Sequence, residues 1–207
     1  MKDIYVLGSV NMDMVITTPY IPAEGETLTG SNFFLNGGGK GANQAVAAAK
    51  QNVPTYLIGN VGNDIFGEDL IKNLTNYNVK SKYVNKLSNT ATGVAMIIIH
   101  NNDNRIILDG GANHKIILSQ IDKALKEAKE NDIFITQLEN NIDAVIYGLK
   151  KAKEYNMITI FNPAPAKVLD NDIYNYIDYL ILNETECQIL ANVYPEDEDK
   201  INEVYKK

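Results

Sequence analysis

The segment FFLNGGGKGANQAVAAAKQ, residues 33–51, joins a glycine-rich stretch to an alanine-rich pattern that is typical of a helix. Four of the five residues from 37 to 41 are glycines. A glycine turn entering a helix favours an oxygen-rich ligand, because free backbone N–H groups and the helix dipole meet there. The alternative is a tight turn that only lets the helix approach a sheet closely, although so many glycines carry a high entropy cost for a simple turn.

Two well-known glycine motifs fit this segment poorly. A Walker A loop requires Ser or Thr after its lysine, whereas Lys40 is followed by Gly41, so no hydroxyl is available for Mg²⁺. The residues Gly37, Gly39 and Ala42 satisfy the loose dinucleotide fingerprint G-x-G-x-x-G/A. That fingerprint belongs directly after the first core strand, which here is predicted to end far upstream at Leu7. A nucleotide-dependent oxidoreductase is therefore the least favoured function.

The composition limits the size of the fold and the class of partner. A chain of 207 residues suffices for one α/β domain with a small appendage. The 19 Lys and Arg residues are outnumbered by 26 Asp and Glu residues without any dense basic tract, which disfavours a nucleic-acid partner. The single Cys187 and the absence of a leader pattern predict a cytoplasmic location, and the apolar runs are too short to cross a membrane.

Short apolar runs alternate with longer amphipathic stretches along the chain. The predicted strands are residues 4–7, 55–59, 132–138, 157–161 and 179–182, and the predicted helices cover about 41–51, 65–77, 119–130, 141–155 and 184–192. The runs are almost continuously apolar, as in strands that are buried on both faces. The alternation predicts an α/β fold with a mainly parallel central sheet between two layers of helices.

Residues 10–36 and 93–109 interrupt this alternation. Each segment contains two extended stretches around a polar or Pro/Gly-containing turn, which is typical of a β-hairpin. We expect the two hairpins to form a small antiparallel sheet at one edge of a single domain spanning 1–207. This sheet is a candidate lid over a binding site, and an ordinary extension without a function is the alternative.

Polar residues follow the predicted core strands, where open parallel sheets bind their ligands. The period of two in VNMDMVI places Asn11 and Asp13 on one face of a strand. A carboxylate beside an amide suits adjacent sugar hydroxyls, while a solvated strand face is the alternative. Asn183 and Glu186 have the spacing of a capping box ahead of a helix, so spacing alone favours a structural role for this pair.

Five segments together carry a family resemblance. They are GSVNMD (8–13), GGKGANQA (38–45), QLE (137–139), FNPAPA (161–166) and LNETE (182–186). In order and spacing they resemble the PfkB family of sugar kinases, whose type member is ribokinase. The resemblance spans about residues 3–192 and implies a ribokinase-like three-layer fold with a β lid. It further implies transfer of the ATP γ-phosphoryl group to the 5-hydroxyl of ribose, and homodimers that pair through their lids.

The resemblance also implies roles for individual residues. The sugar-binding residues would be Asn11, Asp13, Gly38, Gly39, Lys40, Gly41, Asn43 and Glu139. Asn183 would lie on the nucleotide side, and Glu186 would influence Mg²⁺ and the phosphates without being a direct ligand. The implied cofactors are ATP and Mg²⁺, with K⁺ as the monovalent cation of the family.

One family signature is absent from the sequence. The Asp-Thr-x-Gly-Ala-Gly-Asp loop supplies the anion hole and the catalytic aspartate, but no GAGD occurs, and the look-alike Gly110–Asn113 lacks the aspartate. The chain ends at Lys207 inside a predicted helix, so we expect the C-terminal third of the fold to be missing, including the catalytic residue and the K⁺ site. Phosphoryl transfer should then be impaired, and a non-catalytic sugar-binding module is the alternative.

Overall fold

The computed structural model describes residues 2–206, in which strands and helices alternate. The strands are β1 (Ile4–Leu7), β2 (Asn11–Thr17), β3 (Ser31–Gly38), β4 (Thr55–Gly62), β5 (Val79–Leu87), β6 (Gly93–His100), β7 (Asp103–Asp109), β8 (Ile133–Thr136), β9 (Ile158–Phe161) and β10 (Tyr179–Leu180). The α-helices are α1 (Lys40–Ala49), α2 (Ile65–Asn76), α3 (Leu118–Leu125), α4 (Ile142–Glu154), α5 (Glu184–Ala191) and α6 (Glu198–Val204), and 3₁₀ helices cover Gly111–Lys115 and Asn171–Tyr176. No helix within this range is long and apolar enough to cross a membrane.

Six strands form the central sheet in the order β10-β9-β8-β1-β4-β5. Every neighbouring pair in this sheet is parallel, which confirms the predicted mainly parallel sheet. Strand β5 was not predicted, because its sequence VKSKYVNKL mixes lysines with apolar residues. Such a pattern is natural for an edge strand whose outer side chains face water.

The sheet separates two hydrophobic cores, so the fold has three layers. Along β1, Tyr5 and Leu7 point into the core that helices α3 and α4 cover. Ile4 and Val6 point into the opposite core, which helices α1 and α2 cover. The period of two along a strand thus distributes one short apolar run between both cores, as a continuously apolar sequence requires.

The two hairpins form a second sheet in the order β3-β2-β6-β7. The pairs β2–β3 and β6–β7 are antiparallel, as predicted. The expectation of an antiparallel sheet is nevertheless wrong, because β2 and β6 pair in parallel and the sheet is mixed. Strands β2 and β6 begin side by side, with Asn11 opposite Gly93, and run in the same direction.

Helix α1 approaches the central sheet unusually closely at its first turn. A Cβ atom added to Gly41 would lie 2.4 Å from both the Cα and the carbonyl carbon of Gly8, which follows β1. Two glycines therefore allow two backbones to touch. The close-approach interpretation of the glycine-rich segment is thus correct for Gly41.

Gly41→Ala is expected to destabilise the protein by about 1–3 kcal/mol, the usual cost of overpacking, because the added methyl group meets backbone that cannot turn aside. Urea unfolding followed by circular dichroism measures this loss. Asn43→Ala is the matched control, since Asn43 is exposed on the same helix, and its stability should stay equal or rise slightly. Equal stabilities of Gly41→Ala and the wild type would contradict the close contact.

Candidate functional site

The strand order of the central sheet locates a crevice. From β1 the chain proceeds outward through β4 to β5, and it later returns to β8 on the other side of β1. The order reverses between β1 and β8, and open α/β sheets bind ligands outside the carboxyl ends of the strands at such a point. The predicted residues Asn11, Asp13 and Glu139 lie within a few residues of the carboxyl ends of these two strands.

The Glu139 carboxylate joins three parts of the chain at this crevice. Its Oε2 accepts a hydrogen bond from the Ser9 hydroxyl after β1 and another from the Lys40 backbone N–H at the start of α1, the latter at 3.0 Å. Its Oε1 lies 3.7 Å from the Lys40 Nζ. The Glu139 side chain is 11% exposed, so the carboxylate acts mainly within the protein and presents little surface to a ligand.

The first turn of α1 is therefore not a free anion-binding site. Besides the Lys40 amide held by Glu139, the Gly41 amide donates to Ser9 Oγ at 3.4 Å and the Ala42 amide to the Ser9 carbonyl at 2.9 Å. The expectation of free N–H groups at this helix start is wrong. The Glu139 carboxylate complements the positive end of the helix dipole and takes the place that an external anion would need.

The glycines before α1 have separate structural roles. Gly37 and Gly38 belong to strand β3, and only Gly39, with a φ angle of +91°, forms the turn into the helix. A Cβ atom at Gly38 would lie 2.2 Å from the Asp13 carboxylate. The absence of a side chain at Gly38 thus makes room for Asp13. The dinucleotide geometry is absent, since these glycines lie at the end of a strand of the second sheet and not after the first strand of the central sheet.

Asp13 carries the clearest ligand-binding character in the crevice. Its carboxylate makes no hydrogen bond or ion pair within the part of the chain that the structure describes. Burial raises its pKa above the ordinary aspartate value, and the nearby Glu139 carboxylate raises it further. A partly buried carboxylate without a partner is costly, and hydroxyl donors from a ligand would satisfy it.

Asn11 lies beside Asp13 on the same strand face and is 3% exposed. The solvated-face interpretation is therefore wrong for this residue. Its Oδ1 accepts a hydrogen bond from Asn113 Nδ2 at 2.6 Å, whereas its Nδ2 makes no hydrogen bond within residues 2–206. One donor group is consequently available to a ligand next to the Asp13 carboxylate.

Asn43 lies on helix α1, next to the glycine-rich end of β3. It lines a groove of about 210 Å³ between α1, α2 and β3, together with Gly37, Lys50 and Asn73. The groove is also lined by Asn36 and Gly38, which pair with Asp13 and Asn11 in the second sheet, so it borders the crevice. The structure therefore brings Asn11, Asp13, Lys40 and Glu139 together, and it places Asn43 at the border of a neighbouring groove.

Asn183 and Glu186 form a complete capping box at the start of α5. The Asn183 Oδ1 accepts from the Glu186 N–H at 2.8 Å, and Glu186 Oε2 accepts from the Asn183 N–H at 2.9 Å. Asn162, which follows β9, also donates to Glu186 Oε2 at 3.3 Å. The structural role favoured by spacing is correct, and the nucleotide-side role stays a prediction.

The capping box and the Asp13 crevice share one rim of the sheet. Strands β8 and β10 are separated by β9, so their ends lie about 10 Å apart at the usual strand spacing. Residues 2–206 contain no cluster of three or more His, Cys, Asp or Glu side chains that could hold a metal ion. The expected indirect role of Glu186 toward Mg²⁺ therefore stays a prediction.

Ser9 and Asn113 were missed as members of the site. Ser9 could have been noticed, because it follows a core strand directly. Asn113 gave no usable signal, since its contact with Asn11 spans 102 positions of the sequence. It lies in the segment Gly110–Asn113, for which the sequence indicated only that it lacks the aspartate of the GAGD signature.

Comparison with known proteins places the whole chain in one family. The family model described as pfkB family carbohydrate kinase matches residues 1–207. The chain is 37% identical over 201 residues to a deoxyribokinase of Salmonella typhi, covering 96% of this chain and 66% of the relative. It is 39% identical over 199 residues to a ribokinase of Schizosaccharomyces pombe, covering 93% and 63% respectively. The chain thus spans less than two thirds of the length of these relatives.

The fold agrees with that of a solved relative. The structure of Arabidopsis thaliana ribokinase complexed with ribose and ATP superposes with a TM-score of 0.87 at 30% identity. The match covers 99% of this chain and 67% of the other. The predicted ribokinase-like fold is confirmed.

The raised pKa of Asp13 predicts that Asp13→Asn stabilises the protein at neutral pH. Folding favours the protonated carboxyl, so wild-type stability is fully present below the unfolded-state pKa and falls as pH rises through the higher folded-state pKa. Asparagine cannot ionise, so the Asp13→Asn variant does not lose this stability. The difference in stability between the variant and the wild type should disappear in acid. Thermal unfolding across a pH series measures the difference. Asp69→Asn, which removes a carboxylate at an exposed position of α2, is the control for the change of charge, and a destabilised Asp13→Asn at neutral pH would contradict the assignment.

Proposed function

Because the chain belongs to the pfkB family of carbohydrate kinases, we propose that it provides the sugar-binding part of an ATP-dependent kinase that phosphorylates the 5-hydroxyl of ribose. The observation that carries this proposal is the Asp13 carboxylate, which is partly buried and has no partner within the described residues. It stands beside the Asn11 Nδ2, which makes no hydrogen bond to any of residues 2–206. A carboxylate acceptor next to an amide donor matches neighbouring hydroxyls of a sugar.

In this proposal the residues of the crevice bind and orient the sugar. Asp13 accepts hydrogen bonds from ribose hydroxyls, and Asn11 donates to a hydroxyl oxygen. Lys40, whose side chain is 41% exposed, reaches the crevice from the first turn of α1 while Glu139 holds its backbone. Precise placement of the acceptor is the main contribution that a protein makes to phosphoryl transfer.

The nucleotide belongs at the β9–β10 end of the same rim in our proposal. Bound ATP with Mg²⁺ would supply the phosphoryl group and much of the charge neutralisation. In this arrangement Asn183 and Glu186 face the bound nucleotide, while they also hydrogen-bond to each other. The second sheet acts as a lid that excludes water from the sugar, which limits wasteful ATP hydrolysis.

The 207-residue chain contains no GAGD loop, and therefore no general base that the family pattern would identify. We propose that it binds ribose without efficient turnover, since loss of a general base costs about a hundredfold to ten-thousandfold in rate. A coupled ADP-release assay with ribose and Mg-ATP should show no ribose-dependent turnover. Rapid ribose-dependent turnover, by a preparation whose intact mass matches the 207 residues, would contradict this claim.

Calorimetric titration tests sugar binding separately from turnover. We expect D-ribose to bind the wild type, and Asp13→Ala to abolish the binding heat because the hydroxyl acceptor is lost. Asp69→Ala, on the exposed side of α2, is the matched control and should bind normally. A titration with 2-deoxyribose tests whether the crevice also binds the sugar that the name of one relative, deoxyribokinase, indicates. Unchanged ribose binding by Asp13→Ala would refute the assigned crevice.

A homodimer through the second sheet forms the remaining part of the proposal. Strand register places one apolar row on each face, namely Leu35, Met14, Met96 and Ile107 on one and Phe34, Val15, Ile97 and Ile106 on the other. Val15 is buried and Met14 and Ile97 are partly buried, whereas the other five side chains are exposed. Ile107 is 64% exposed and Ile106 is 56% exposed. Apolar surface on both faces of a projecting sheet is typical of an interaction site.

Sedimentation velocity tests the dimer. The wild type should sediment as a dimer, and the double variant Ile106→Lys, Ile107→Lys as a monomer, because it places a charge on both faces of β7. Each single variant then identifies the face that pairs. The control Val168→Lys introduces a charge at an 81% exposed position outside the second sheet and should leave the dimer intact. A monomeric wild type would refute this part of the proposal.

A further inference from the structure

Asn113 is a buried amide at the junction of the two sheets. It is 1% exposed and lies in the 3₁₀ helix Gly111–Lys115, which follows the last strand of the second sheet. Its side chain reaches the start of β2, where Asn11 begins the strand that carries Asp13. Its carbonyl accepts a hydrogen bond of 3.0 Å from Asn140, the residue after Glu139. Asn113 therefore contacts both strand ends that border the crevice.

The backbone of Val10 determines which way the Asn113 amide faces. The Val10 N–H, which can only donate, lies 2.9 Å from Asn113 Oδ1. The Val10 carbonyl, which can only accept, lies 3.3 Å from Asn113 Nδ2. Oxygen and nitrogen positions of an amide are assigned from such networks, and here both backbone groups agree.

This orientation in turn determines the orientation of Asn11. The Asn113 Nδ2 lies 2.6 Å from the Asn11 side chain and is a donor, so the Asn11 atom that faces it must be the acceptor Oδ1. The Asn11 Nδ2 is then directed away from Asn113 and makes no hydrogen bond within the described part of the chain.

Gly93 leaves the space in which this contact forms. A Cβ atom at Gly93 would lie 2.4 Å from Asn11 Oδ1 and 2.4 Å from Asn113 Nδ2. Gly93 is also the first residue of β6, directly opposite Asn11 in the second sheet. A side chain at this position would separate the two amides.

We propose that Asn113 is a positioning residue which holds the Asn11 amide so that the crevice offers the sugar an N–H donor at Asn11 and a carboxylate acceptor at Asp13. This inference rests on the proposed sugar-binding function. The consequence is a fixed polarity: the ligand must present a hydroxyl oxygen as acceptor to Asn11 and a hydroxyl hydrogen to Asp13. An inverted Asn11 amide would place two acceptors side by side, and a hydroxyl has only one hydrogen to share.

The variant Asn113→Asp inverts this polarity while it keeps the size of the side chain. The new carboxylate still accepts from the Val10 N–H, but it repels Asn11 Oδ1 and attracts Asn11 Nδ2. At mildly alkaline pH we expect the affinity for D-ribose in calorimetry to fall about tenfold or more, the size of effect that a mismatched buried hydrogen bond produces. Gly93→Ala should weaken ribose binding in the same way with Asn113 intact, which covers the case of a poorly folded Asn113→Asp.

Side-chain amide exchange by ¹⁵N NMR provides a readout that does not require ribose. In the wild type we expect the Asn113 Nδ2 protons to exchange slowly and those of Asn11 to exchange rapidly. In Asn113→Asp the Asn11 Nδ2 protons should become protected, because they now donate to the carboxylate. Asn11 protons that are protected in the wild type, and unchanged in the variant, would overturn the proposal.

The matched control is Asn141→Asp, which makes the same chemical change in the neighbouring loop. The Asn141 Nδ2 donates to the Ile116 carbonyl at 3.1 Å, and within residues 2–206 Asn141 makes no hydrogen bond with Asn11, so ribose affinity and Asn11 exchange should both stay at wild-type values. Equal ribose affinities of Asn113→Asp, Gly93→Ala and the wild type would refute the positioning role. A wild type that binds no ribose would refute the sugar-binding function instead, and the exchange rates alone would then decide the orientation of Asn11.

Discussion

The Glu139 carboxylate is the constraint on which the arrangement of the crevice depends. From its own position after β8, it ties the segment after β1, through Ser9, to the first turn of α1, through Lys40. The three segments are distant in sequence, with separations of 130 and 99 residues, so a single side chain closes two long loops. The same charge faces the helix N-terminus, which it stabilises, and Asp13, whose pKa it raises.

This arrangement changes the interpretation of the glycine-rich segment. Its glycines allow close approaches between neighbouring segments, and they do not form an anion-binding turn. Gly41 lets α1 touch Gly8, Gly38 makes room for the Asp13 carboxylate, and Gly39 provides the one positive φ angle of the segment. The amides that such a turn could offer are already bonded to Glu139 and Ser9. Within residues 2–206, the Asp13 carboxylate and the Asn11 Nδ2 have no hydrogen-bond partner and remain for a ligand.

The sequence predicted those features that depend on local patterns. The apolar run at 4–7 became β1 with the predicted bounds, and the Asn183–Glu186 spacing became a capping box. Local patterns failed where environment decides: β5 reads as polar because it is an edge strand, and Gly37 and Gly38 read as a turn although they continue β3. The mixed pairing of the second sheet and the role of Asn113 arise from contacts between distant segments, which periodicity cannot reveal. The resemblance identified Asn11, Asp13 and Glu139 as neighbours, but it did not indicate that Glu139 is occupied by the protein itself.

The most direct measurement of the central claim is a ¹H–¹⁵N correlation spectrum of the 207-residue protein during titration with D-ribose. We predict that the shifted backbone resonances cluster at Asn11, Asp13 and the segment Gly38–Lys40, at the border between β1 and β8. Resonances of Asn183 and Glu186, at the other end of the rim, should stay unchanged until nucleotide is added. Shifts confined to the β10 end, or no shifts at saturating ribose, would contradict a sugar site built on Asn11 and Asp13.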